Sequence, residues 1–167
     1  MPNWVYNTLY MEGIGKADLY SKRVFDEKEE IYFDFNKIIP EPKTEEECRE
    51  KYDGDRFIDK VDENGNSSNH LMHTETDKWF NWYEWHWAYW GTKWNAVDTV
   101  IEDDDTLRFS TAWGAPEPIF RAISKMFPGK VLDVFIDYEI GEASYECEYL
   151  NGERIKEEQI VIETPED

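Results

Sequence analysis

Val97-Asp-Thr-Val-Ile-Glu102 and Thr106-Leu-Arg-Phe-Ser-Thr-Ala-Trp113 are two strand-like runs joined by Asp103-Asp104-Asp105. So short a connection returns the chain antiparallel, as a hairpin, because parallel neighbours need a long crossover. Downstream, Pro116 and Pro118 open a helix through Phe127, since proline suits a first helical turn. Ile119, Ile123 and Phe127 recur on one face of it, with Ala122 and Met126 beside them. Val131 to Ile140 alternates as a strand. Ser144 to Leu150 and Arg154 to Ile162 form a second hairpin, turned at Asn151-Gly152, a pair suited to a type I′ turn.

Upstream, Trp4 to Met11 alternates as a strand that Gly13 and Gly15 end. Lys16 to Phe25 reads as a short helix, with Leu19, Arg23 and Val24 spaced for one face. Ile31, Phe33 and Phe35 then alternate in an extended segment closed by Pro40 and Pro42. Thr44 followed by Glu47 is a capping box, opening a charged helix to about Tyr52. Asp62-Glu-Asn-Gly-Asn-Ser-Ser68 reads as an exposed loop. The order is strand, helix, strand, helical segment, hairpin, helix, strands. It implies an α+β two-layer sandwich, an antiparallel sheet with helices on one face, and the split β-α-β topology of ferredoxin-like folds is the expected form. The chain is read as a single domain, 1–167, with a helical and loop insertion at about 44–95.

Trp79-Phe-Asn-Trp-Tyr-Glu-Trp-His-Trp-Ala-Tyr-Trp90 is an aromatic helix, expected to start at an Asp77 cap and to end at Gly91. Asp77, Asn81, Glu84 and Ala88 share its polar face. Trp79, Trp82, Tyr83, His86 and Trp90 lie opposite, and Phe80, Trp85, Trp87 and Tyr89 on the flanks. Most of these rings suit a core. Trp85, Trp87 and Tyr89, with Lys93 nearby, are candidates for a recognition surface or a small-molecule groove, because Trp and Tyr anchor interfaces.

The 167 residues carry 18 Lys and Arg against 38 Asp and Glu, a net charge of −20. A field of that sign repels phosphates, so direct nucleic-acid binding is disfavoured, as is an anionic membrane. The charge is compatible with a protein partner that has a basic surface, with cation binding, or with plain solubility, the commonest reading of such a charge. Aromatic residues make up 16% of the chain, which argues against wholesale disorder. Cys48 and Cys147 are expected to be free thiols in a reducing compartment. The start, Met-Pro-Asn-Trp, lacks the features of a signal peptide, and no apolar run is long enough to span a bilayer, so a cytoplasmic location is expected.

His70 and His73, three apart, are weak metal candidates with Glu75 or Asp77. Asp62, Asn64 and Asn66 begin like a calcium loop, but Gly65 comes one place early and His73 stands where a glutamate is required. Asp103, Asp104 and Asp105 are a solvated turn before they are a cation or binding site. No nucleophile signature or phosphate loop is present, no motif requires a cofactor, and no catalytic residues are assigned.

Four motifs occur in order: Met1-Pro-Asn-Trp4, Phe33-Asp-Phe-Asn-Lys-Ile-Ile-Pro40, Trp90-Gly-Thr-Lys-Trp-Asn-Ala96, and Ser110-Thr-Ala-Trp-Gly-Ala-Pro-Glu-Pro118. Together they resemble the Api92-like family of phage- and plasmid-encoded proteins, which has a ferredoxin-like (also YubB-like) domain; the resemblance spans about residues 1 to 150. It implies a mobile-element origin and supports the fold, and it brings no catalytic residues. Trp90, Trp94 and Trp113 are expected to be buried anchors. The function expected is non-catalytic: binding a host protein through an acidic surface, as a nucleic-acid-mimicking inhibitor of host defence. The alternative is a small-molecule or metal-binding domain using an aromatic groove beside the Trp-rich helix.

Overall fold

β1 (Trp4–Tyr10) alternates buried and exposed residues and sits near the middle of the sheet. Along one edge it pairs antiparallel with β5 (Thr106–Ala112), along the other with β6 (Leu132–Tyr138). The computed structural model describes residues 2–59, 79–140 and 143–160. β4 (Val97–Asp103) flanks β5, while β7 (Ser144–Leu150) and β8 (Glu153–Ile160) extend the sheet beyond β6. The strand order is β4-β5-β1-β6-β7-β8, with every neighbouring pair antiparallel. The chain therefore skips a place twice. From β1 to β4 it passes over β5, and from β5 to β6 it passes over β1. These interlocked crossovers are the split β-α-β arrangement expected from the sequence, with the β7–β8 hairpin added at one edge.

The second crossover is made by α3 (Glu117–Met126), which starts after Pro116 and buries Ile119, Phe120 and Ile123. The first crossover is longer. It contains a separate hairpin of β2 (Tyr20–Phe25) and β3 (Lys28–Phe33), then α1 (Glu45–Lys51) and α2 (Trp82–Tyr89). Thr44 caps α1 by accepting from the Glu47 N–H at 3.1 Å, and the Glu47 carboxylate reaches back to the Lys43 N–H, one residue before the N-cap N–H that a capping box engages.

The segment Lys16–Phe25, expected as a helix, is instead the end of a 3-10 turn (Ile14–Lys16) followed by β2. Leu19 is buried, but Val24 is 73% exposed, so no apolar stripe exists to hold a helix down. Asp26 and Glu27 both take left-handed φ values, 47° and 65°, and close a tight hairpin without the Asn-Gly pair that usually announces one. α2 also differs from expectation: its N-cap is Asn81, whose side chain accepts from the Glu84 N–H. Asp77 lies outside the described residues.

One core unites the sheet and the crossovers. Val5, Leu9, Leu107, Phe109, Leu132, Val134, Cys147 and Tyr149 face it from the strands, and Phe33, Phe35, Phe57, Phe80, Trp85 and Trp90 fill it from the first crossover. Each of these rings contributes about 1.5–3 kcal/mol by leaving water. Cys48 and Cys147 are buried and unpaired. Among the described residues no helix is long and apolar enough to cross a membrane.

Candidate functional site

The four motifs, scattered along the sequence, interlock at one end of the sheet. Asp34 follows β3 and is a buried carboxylate. Its Oδ1 accepts from Asn95 Nδ2 at 2.9 Å and the Asn36 N–H at 3.0 Å; its Oδ2 accepts from Ser21 Oγ at 2.7 Å and the Tyr32 hydroxyl at 3.3 Å. Burial alone would push its pKa up, but these donors outweigh it and hold the carboxyl below the usual range. Asn95 Oδ1 accepts in turn from the Phe35 and Ala96 N–H groups. The Trp90 indole donates to the Ile39 carbonyl at 2.9 Å and its ring meets Phe35 edge-on. His86 stacks on Trp90 at 4.2 Å, with its ring nitrogens facing the Lys93 carbonyl and the Glu41 carboxylate. Thr92 Oγ1 donates to the Ala112 carbonyl, and the Trp113 N–H to the Asn3 carbonyl.

This buried frame holds other aromatic residues outward. Trp94 is 36% exposed and Trp113 46% exposed, which corrects the expectation that both are buried; only Trp90 is. Trp94 lies 6.5 Å from Trp4, centroid to centroid, with the Lys93 ammonium 4.7 Å above its ring. Trp113 takes φ 71°, in the left-handed region that a bulky side chain normally avoids. Such outliers persist where the surroundings enforce them, and they cluster at functional sites.

Trp4 also begins a row across the sheet. Side chains alternate along a strand, so Trp4, Tyr6, Thr8 and Tyr10 share the face opposite the core residues Val5 and Leu9. Tyr6 is 44% exposed. Phe135 of β6 pairs with Thr8 and meets Tyr10 edge-on at 5.6 Å. Beyond this aromatic row the register brings carboxylates into line on the same face: Asp133 beside Glu148, and Phe135 beside Glu146, which is paired with Glu158. Asp133, Glu146 and Glu148 each place a carboxylate oxygen within 4.8 Å of the others, a spacing that can hold a cation. Lys156 lies 3.5 Å from Glu146 and 3.7 Å from Glu158. Burial, then the Glu146 and Glu148 charges, push the Asp133 carboxyl up to about 6. A 290 Å³ depression lies on this face among Tyr6, Phe135, Asp137 and Ile160.

The candidates read from the sequence are dispersed. Trp85 is wholly buried, and its ring meets Tyr52, Phe80 and Trp90. Tyr89 is partly buried against Tyr52 and Phe57. Trp87 is exposed at its outer edge but rests on Gly114, where a Cβ would come within 3.1 Å of its ring and 2.7 Å of the Gly91 carbonyl. Helix and turn are thus in direct contact where a groove was expected. Lys93 sits over Trp94. The acidic turn ties the hairpin to the chain after β1: Asp105 Oδ1 accepts from the Gly13 N–H, Asp104 pairs with Lys16 at 3.0 Å, and Asp103 Oδ1 accepts from the Asp105 N–H. His70, His73, Glu75 and the Asp62–Asn66 run lie outside the described residues.

Asp133, Glu146, Glu148, Tyr6 and Tyr10 were not singled out in the sequence. Alternation marks which face each occupies within its own strand, but which strands adjoin is decided by crossovers that alternation does not reveal.

No curated protein and no solved structure matches the chain. A family model does, over residues 89–163, which include β4 to β8 and α3; β1, inserted between β5 and β6, comes from outside the matched segment. The model that residues 89–163 match describes a ferredoxin-like domain in Api92-like protein.

Proposed function

We propose that this is a non-catalytic binding protein that takes a basic protein partner on the carboxylate-flanked aromatic face of its sheet. In this reading the helices cover one face, a two-layer sandwich, and the other face stays free for the partner. The observation that carries it is the register that sets Trp4, Tyr6, Tyr10 and Phe135 beside Asp133, Glu146, Glu148 and Glu158. Exposed aromatic rows on sheets stack bases when a positive groove follows the backbone. Here the flank is negative and the chain carries −20, so the same platform selects against phosphate and for Lys and Arg. Carboxylates would stand where a nucleic-acid-binding partner expects phosphates. With the phage or plasmid origin that the family resemblance implies, the partner would be a host protein in the cytoplasm and the effect inhibition of host defence.

The test is a calorimetric titration with a defined arginine-rich peptide at low and high salt. Glu146→Lys, Glu148→Lys and Glu158→Lys together should abolish binding. Glu45→Lys, Glu46→Lys and Glu50→Lys on α1, an equal change in charge, should weaken it only slightly. Equal losses from both sets would make the charge a solubility feature and sink the reading.

A further inference from the structure

The opposite face of the sheet holds a second feature. β7 and β8 widen the sheet past β6, and the first turn of α3 does not cover all of the added inner surface. The result is a cavity of about 470 Å³ between the start of α3 and strands β6 to β8. That is within the size range of small-molecule sites, roughly 300–1,000 Å³. Its walls include Tyr138, Tyr145 and Tyr149, with Tyr138 and Tyr145 edge-to-face at 6.0 Å. Glu117, Arg154 and Glu157 also line it. Arg154 Nη1 reaches Glu157 at 2.9 Å and Glu117 at 3.5 Å, so two carboxylates share this one guanidinium, and Arg121 takes the other oxygen of Glu117 at 2.8 Å.

We propose that this cavity binds a small organic cation, an alkylated ammonium with an apolar body, between the tyrosine rings and the Glu157 carboxylate. Aromatic faces attract cations through the ring quadrupole, and desolvated cages of such rings recognise quaternary ammonium groups. Arg121 already holds Glu117 from outside the cavity, so Glu157, paired to Arg154, is the carboxylate a guest would engage, and the −20 charge of the chain repels anionic guests. The arrangement already holds one cation on that carboxylate, Arg154 itself, which a guest would partly displace. The site is separate from the proposed partner face. β7 places Tyr145 and Cys147 on its inner side and Glu146 and Glu148 on its outer side, so either proposal can fail without the other.

Calorimetry with benzyltrimethylammonium and choline, against the neutral isostere 3,3-dimethylbutan-1-ol, tests it on the intact chain. The ammonium ligands should bind at least about tenfold more tightly than the isostere. Tyr145→Leu should lower affinity about tenfold, while Tyr145→Phe, which keeps the ring, should stay within about twofold. Arg154→Gln should tighten binding several-fold, because it frees Glu157 and leaves Glu117 to Arg121 alone, a gain that damage to the fold would not produce. Equal binding of the isostere would make this an apolar pocket, and weaker binding in Arg154→Gln would make Arg154 the recognition group. No binding by the folded wild-type chain at millimolar ligand would also overturn the proposal.

Discussion

The two faces of the six-stranded sheet are built from the same strands and carry opposite chemistry. The inner face gives Val5, Leu9, Phe109, Val134 and Tyr149 to a core that also holds Phe33, Phe35, Trp85, Trp90, Ile119 and Phe120. The outer face presents Trp4, Tyr6, Tyr10 and Phe135 beside a cluster of carboxylates, one of which, Asp133, is pushed up to about 6 by burial and then by its neighbours. The difference teaches that aromatic content alone does not mark a core. Trp90 and Trp94 belong to one motif, four residues apart. One is buried and hydrogen-bonded, and the other is half-exposed beneath a lysine.

That pair sets the largest expected effect. Trp90→Ala removes a wholly buried ring, its bond to the Ile39 carbonyl and its stack with His86, and should cost about 3–5 kcal/mol in urea unfolding. Trp94→Ala should cost less than about 1 kcal/mol, as surface substitutions usually do. Similar losses in the two variants would return Trp94 to the core and erase the distinction between the faces.

How far the sequence could be read follows the same division. From β4 onward, each element announces itself: Pro116 and Pro118 at the start of α3, alternation in β6, and Asn151-Gly152 at the final turn, where both residues do take left-handed φ values. These are local signals set by backbone chemistry. The β1–β4 crossover is less legible. The β2–β3 hairpin turns on Asp26 and Glu27, which carry no turn signature, and its strands are mostly exposed, so their polar pattern imitates a solvated helix. Trp113 stands among Ala112, Gly114 and Ala115, small residues that imply close packing and so a buried ring. The close packing is at Gly114 against Trp87, while Trp113 itself is left 46% exposed. The carboxylate cluster depends on β6, β7 and β8 lying side by side in one register, which no single strand encodes.

An intermediate effect concerns Asp133. Its carboxyl is raised from 3.8 to about 6, first by burial and then by Glu146 and Glu148. Between those values the folded chain holds a proton that the unfolded chain has released. Stability therefore falls as pH rises from about 4 to about 6, and the loss persists above that range. Discounted for solvent screening, the penalty is about 1 kcal/mol. Asp133→Asn should raise stability at neutral pH by about that amount and flatten this part of the profile. Thermal melts at several pH values would show it. An unchanged profile would mean that the outer face carries no electrostatic strain, and the contrast with the inner face would lose its charge component.

The smallest expected change in stability is at Trp113, where two effects oppose each other. Its φ of 71° is unfavourable for any residue with a Cβ and most of all for a bulky one, at a cost of roughly 1–2 kcal/mol. Glycine adopts that backbone freely, so Trp113→Gly relieves the strain. The same change removes a ring that is 46% exposed and therefore only partly buried, forfeiting on the order of 1 kcal/mol of burial. It also frees the unfolded chain, by up to about 1 kcal/mol. The sum should lie within about 1 kcal/mol of zero in urea unfolding. Trp113→Ala keeps the strain while losing the ring, so it should be less stable than Trp113→Gly even though it removes less of the side chain. If the alanine variant is the more stable of the two, the left-handed backbone at Trp113 is not strained, and the ring's outward pose needs no enforcement by the Asn3 and Gly114 contacts around it.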